Sequence, residues 1–208
     1  MSPISSDKSF IPQQGYYRKL LAYQVAECIY DVTFIFTRRF LEKGDRTIDQ
    51  MVQAARSGKQ NIAEGSAAGS TSKEMEIKLT NVAKASLQEL LIDYEDFLRV
   101  RGYEIWDKDS PKSIQTRRFC QNHNDSAIYR EKVAERSAET VANLALILIH
   151  QADLLLHRLI ERQKRDFIQN GGIREQMSQA RRNYRTQNHN QPSTNTPITP
   201  NTSLKKEK

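Results

Sequence analysis

Four arginines and a tyrosine stand within a short stretch near the C-terminal end: Arg174, Arg181, Arg182, Tyr184 and Arg185. Guanidinium groups pair with phosphate, and a tyrosine ring gives a nucleotide base a surface to stack on. The chemistry these residues offer is therefore nucleic-acid binding. Arg117 and Arg118 in the middle of the chain, and Arg162, Lys164 and Arg165 shortly before the arginine cluster, are further candidates for phosphate contact. A plainer reading stands beside each: a solvated helix end for Arg117 and Arg118, and a solubilising tail for the C-terminal group.

Other reactive types are present without the spacing that chemistry needs. His150, Asp153 and His157 share one broad helical face, and Glu89 and Asp93 lie one turn apart on another helix. Histidines seven residues apart are about 10 Å apart along the axis, long for one ion. The paired Glu-x-x-His of a di-iron bundle is missing. There is no nucleophile elbow, no phosphate-cradling loop and no Ser-His-Asp or Cys-His grouping. The glycines from Gly65 to Gly69 follow no strand, which argues against a nucleotide site. The two cysteines, Cys28 and Cys120, form no CxxC pair and read as ordinary thiols. No catalytic residue, metal or cofactor is assigned. Asn61, Glu64, Ser86 and Glu89 remain, and they read as a polar network clamping one helix to the next; gripping a ligand is the alternative.

Charge is unevenly spread. The 208 residues carry a net charge of +7. From Ile173 to Lys208 seven basic residues meet two acidic ones, while the preceding 172 residues hold 25 basic and 23 acidic. The basicity belongs to the end of the chain. A single tail of that charge binds nucleic acid weakly and in a salt-sensitive way; several tails displayed together would bind usefully. No apolar run approaches the ~20 residues of a membrane span, and no secretion signal opens the chain, so a cytoplasmic protein with no membrane partner is expected.

Apolar periodicity is helical throughout. A first helix over 16–43 carries Tyr17, Leu21, Val25, Cys28, Val32, Ile35 and Phe36 on one stripe. Its off-stripe aromatics Tyr30, Phe34 and Phe40 point to further burial against a neighbour, and Gly44 stops it. A second helix, 47–65, includes Gly58 on its apolar face, where a glycine would admit another backbone. Gly65 and Gly69 suit a left-handed cap and loop. Thr71 with Glu74 has the spacing of a capping box and opens a third helix over 72–101, ended by Gly102. The segment 102–125 reads as a packed linker: Tyr103, Ile105 and Trp106 lie on the bundle, and Ser110-Pro111 starts a short helix. A fourth helix over 126–169 is closed by Gly171-Gly172. It bears two apolar stripes. Val141, Leu144, Ala145, Leu148, Ala152, Leu155 and Leu159 are expected to face the bundle, while Leu146, Ile149, Asp153, Leu156 and Ile160 are expected at a subunit interface. Residues 1–15 read as a disordered arm, and 173–208 as a basic, largely disordered tail in which 174–185 can continue as a basic helix.

A resemblance adds to this pattern. Arg56, Asn61-Ile62-Ala63-Glu64-Gly65, Ser72-Lys73-Glu74 and Ala85-Ser86-Leu87-Gln88-Glu89-Leu90 resemble the signature of the bacterial-type four-helix-bundle family named for proteins encoded in 23S rRNA intervening sequences. That family is similar to the accessory proteins of diversity-generating retroelements. Gly44-Asp45-Arg46-Thr47-Ile48-Asp49-Gln50 and Phe167-Ile168-Gln169-Asn170-Gly171-Gly172-Ile173-Arg174-Glu175 resemble its longer branch, which has a C-terminal segment after the bundle. The resemblance implies an up-down four-helix bundle, a closed homopentamer and a non-catalytic role. It also implies RNA and a reverse transcriptase as partners. Sequence and resemblance together lead to an all-α, oligomeric, nucleic-acid-binding scaffold. A protein-interaction scaffold that binds no nucleic acid is the alternative.

Overall fold

Gly102 and Gly171 adopt positive φ where a helix gives way to a connection, and Gly44, also at positive φ, lies within a connection. The computed structural model of the chain describes residues 17–189; the arm expected over 1–15 and the Asn- and Thr-rich end of the expected tail lie outside them. Among the described residues there is no strand. After a 3-10 turn at Tyr17–Lys19 come α1 (Leu21–Phe40), α2 (Arg46–Ala68), α3 (Lys73–Val100), α4 (Pro111–Asn122), α5 (Ser126–Val133), α6 (Ala138–Asn170) and α7 (Ile173–His189). Residues up to Ile173 form one unit, and the chain from Arg174 onward forms a second.

In the first unit α1 and α3 each pack on both α2 and α6, so the four long helices enclose one core. α5 lies on α1 and α4 on α6. Phe36 sits at its aromatic centre, with ring centroids 4.9 Å from Tyr94 and 4.7 Å from Phe97. Tyr94 is fully buried. Its hydroxyl donates to Thr33 Oγ1 at 3.1 Å, which meets the need of a buried polar group for a partner. Gln163, also buried, donates from Nε2 to Glu76 Oε1 (3.2 Å) and Thr80 Oγ1 (3.1 Å), tying α6 to the start of α3.

Several local expectations shift by a residue or a turn. Ser72, not Thr71, caps α3, accepting from Met75 N at 3.2 Å, while Thr71 donates back to the Ala68 carbonyl. Gly65 lies inside α2, and Gly69 caps it in a right-handed conformation. Both admit α3: a Cβ on Gly65 would lie 3.3 Å from Glu76 O, and one on Gly69 2.6 Å from the Glu76 carboxyl. At Gly58 the close neighbour is a side chain rather than a backbone, since a Cβ there would meet Leu87 Cδ2 at 2.6 Å. Leu87 is 1% exposed and has little room to yield. Overpacking costs about 1–3 kcal/mol, against about 1 kcal/mol gained by replacing a helical glycine. Gly58→Ala should therefore lower unfolding free energy by about 1 kcal/mol in a urea titration, although it raises helix propensity.

The expected fourth helix is two helices. α5 ends at Val133, and α6 begins anew with Ser137 as cap, its hydroxyl accepting from Thr140 N at 3.3 Å. Arg39 of α1 holds the intervening turn by donating to the carbonyls of Val133 and Arg136. Buried Tyr129 and Val133 press α5 onto α1. The linker is also held differently from expectation. Tyr103 and Ile105 are 40% and 49% exposed. Instead, buried Asn143 donates to Glu104 O and accepts from Trp106 N, both at 2.8 Å.

The assignment of α6's two stripes is overturned. Leu146, Ile149, Leu156 and Ile160, expected between subunits, are only 5%, 0%, 0% and 4% exposed within a single chain. The reason is that α6 has neighbours on several sides within its own chain, α1, α3 and α4. Asp153 is half-buried beside them, held by Gln88 Nε2 (2.8 Å) and Lys84 Nζ (3.4 Å). Leu155 and Leu159 of the other stripe are only partly covered. The same burial bears on membrane reading. Contrary to the expectation from unbroken runs, one 18-residue helical window within the span Ala138–Thr186 is apolar enough by composition to cross a bilayer, with a mean hydropathy of 1.3. However, 56% of that window is buried inside the chain, as befits a core helix.

Candidate nucleic-acid interface

In α7 the arginines align because of their spacing. Arg174, Arg181 and Arg185 are seven and four residues apart, so they fall on one helical face, about 10 Å and 6 Å apart along the axis. Arg182 stands a quarter-turn away, its guanidinium donating to Gln179 Oε1 at 3.2 Å. All four are exposed, and Tyr184 is 67% exposed. Met177, 41% exposed, lies on Tyr184's side of the helix. Glu175 is the one acid within α7. A helix with this pattern presents a positive face edged by a ring, the combination that contacts a phosphate backbone and stacks on a base.

At the end of α6, Arg162, Lys164 and Arg165 are exposed. Lys164 Nζ pairs with Glu161 at 2.9 Å, and that pairing holds the Glu161 carboxyl below its usual range. Arg158, which the sequence reading passed over, is exposed as well. With Arg162 and Arg165 it repeats at four and three residues, so the three share a face. The four-and-three spacing is itself the signal that marks this face in the sequence. Arg117 departs from the candidate set: its Nη2 donates to the Lys108 carbonyl, which bends the guanidinium onto the linker. Arg118 beside it is exposed.

The expected polar network is present in part and with a different membership. Ser57 Oγ and Ser86 Oγ lie 2.9 Å apart across α2 and α3, and Asn61 Nδ2 donates to Ser57 Oγ (3.1 Å) and Ser57 O (2.9 Å). Ser57 is the hub. Glu64 and Glu89 sit on the exposed surface outside it, because small hydroxyls fit where α2 and α3 approach closely and long carboxylates do not. Both thiols are buried. Burial pushes Cys28 up to about 12 and Cys120 up to about 11, so both stay protonated and poorly nucleophilic near neutral pH. His150 and His157 are exposed, and Asp153 is committed to Gln88 and Lys84.

Two clefts flank the linker residue Trp106. One, of about 350 Å³, runs along α6 past Ile105, Leu146 and Leu154. The other, of about 260 Å³, lies between α4 and the start of α6. The Trp106 indole N–H is buried without an acceptor. Neither cleft was readable in the sequence, since each joins residues from segments far apart in the chain.

The class is thus an all-helical bundle followed by a helix that exposes four arginines. The chain matches no protein-family model, no curated protein and no solved structure.

Proposed function

We propose that this chain is a non-catalytic scaffold that binds nucleic acid through the basic face of α7, and that it belongs with the intervening-sequence family it resembles. The observation that carries the reading is the exposure of Arg174, Arg181, Arg182 and Arg185 beside the exposed ring of Tyr184. The mutual packing of α1, α2, α3 and α6 supports reading the first unit as the up-down four-helix bundle of that family. Arg158, Arg162 and Arg165 are exposed on the first unit, separately from this face. A reverse transcriptase bound to its RNA is the kind of nucleoprotein such a scaffold would serve.

The rival, a protein-docking scaffold, would seat its partner on the off-stripe aromatics of α1. Those rings are partly covered by cations of the same chain: Arg38 lies 4.0 Å from the Phe34 centroid and Lys59 Nζ 4.3 Å from that of Tyr30. That leaves less aromatic surface for a partner. The homopentameric ring follows from the resemblance alone, now that the α6 stripe lies inside the subunit. Light scattering at five times 24.0 kDa would support it, and a single copy would exclude it.

The binding is tested by gel shift of the full chain with unrelated RNA and DNA at low and moderate salt. Both nucleic acids should shift at low salt, and removal of residues 174–208 should abolish the shift. Absence of a shift at low salt, or a shift unchanged by that removal, would overturn the reading.

A further inference from the structure

The smaller of the two clefts is built for a different ligand. The first turns of α4 and α6 both line it, through Lys112 and Thr140, and helix N-termini carry partial positive charge. Trp106, Phe119 and Leu144 give it an apolar wall, while Lys112, Lys132 and Arg136 surround that wall, and no carboxylate lines it. Lys132 Nζ lies 4.3 Å from the Phe119 ring centroid, and Lys112 Nζ 5.7 Å from that of Trp106. Among the described residues none of the three cations is ion-paired. Lys132 and Arg136 also border an adjoining depression, which Glu131 and Glu135 line. Apolar walls with a few convergent polar groups are what small-molecule sites share, and charge of one sign selects the opposite sign in the ligand.

We infer that this cleft binds a small amphipathic anion: an aromatic or branched apolar body bearing one carboxylate or phosphate. The body lies against Trp106, Phe119 and Leu144, and the acid group sits among Lys112, Lys132 and Arg136. Arginine and lysine both suit such groups, arginine through its fork and lysine as a point charge. The site lies wholly within the first unit and is independent of the nucleic-acid reading of α7.

Trp106 is the single tryptophan of the chain, so its emission reports on the cleft directly. The full chain is titrated with 4-phenylbutanoate, with phenyl phosphate, and with neutral 4-phenylbutanol. At least one anion should change the emission saturably, and the responsive anion identifies the acid group preferred. The alcohol should bind at least about tenfold more weakly. The double variant Lys132→Gln/Arg136→Gln should lose about tenfold or more in affinity, the equivalent of one charge-assisted contact. Both side chains are exposed, so circular dichroism should show an unchanged fold. No saturable change with either anion would overturn the inference, as would equal binding of the alcohol or undiminished binding by the double variant.

Discussion

Leu156→Glu should unfold the first unit rather than dissociate an assembly. Leu156 is 0% exposed within one chain, as is Ile149 one helical face-repeat away. The substitution gives up about 1.5–3 kcal/mol of apolar burial and forces a carboxylate into a site with no cation provided for it, a further cost of several kcal/mol. A domain of this size is stable by about 5–15 kcal/mol in all. A loss on the order of 5 kcal/mol lowers the melting temperature by more than about 10 °C or abolishes folding. Leu154→Glu is the control, because Leu154 is 49% exposed; it should melt close to the unsubstituted chain, within the range usual for surface changes. Thermal melts followed by circular dichroism, with light scattering on the same samples, separate the cases. If α6 were a subunit seam, Leu156→Glu would stay folded, melt almost normally and fall in mass.

The second large effect concerns α7. Replacing Arg174, Arg181, Arg182 and Arg185 together by glutamine removes four positive charges and keeps good helix formers. Because all four are exposed, the fold of the first unit should not notice. Nucleic-acid affinity at low salt should fall by at least about tenfold, since each lost phosphate contact removes one released counterion from the binding equilibrium. Tyr184→Ala should act differently. Base–aromatic stacking is worth about 1–3 kcal/mol per base, so that variant should lose affinity for single strands at an unchanged salt slope. The pair of variants thereby divides phosphate contact from stacking.

Helix ends were the most legible part of this fold. Gly102 and Gly171 adopt positive φ just past α3 and α6, a property glycine announces in any sequence, and Ser110-Pro111 opens α4 as expected; α1, by contrast, ends at Phe40 with Leu41 as its cap, before the expected stop at Gly44. The break between α5 and α6 was not legible. Ala134-Glu135-Arg136-Ser137 holds neither glycine nor proline, and the turn depends on Arg39, nearly a hundred residues earlier, donating to its carbonyls. The two stripes of α6 were read correctly as apolar and wrongly as divided between subunits. Periodicity counts how much of a helix must be covered and says nothing about which chain covers it. Gly58 and Ser86 show the same limit: Gly58 marked a close approach and Ser86 a polar clamp, but Leu87 and Ser57 as their partners emerge only from the packing of α2 on α3. Of the candidate site, the arginines of α7 were legible because they cluster in sequence. Lys112, Lys132 and Arg136 were not, because only the fold brings three separated cations around Trp106 and Phe119.

The most direct test is the salt dependence of RNA binding by the full chain, followed by fluorescence anisotropy of a labelled single-stranded oligomer. Four arginine–phosphate contacts predict a line of log affinity against log salt with a slope of about −3, at about −0.7 per contact, and a nearly flat line once the four arginines are glutamine. No binding at low salt, or binding whose slope those four substitutions leave unchanged, would contradict α7 as the nucleic-acid interface.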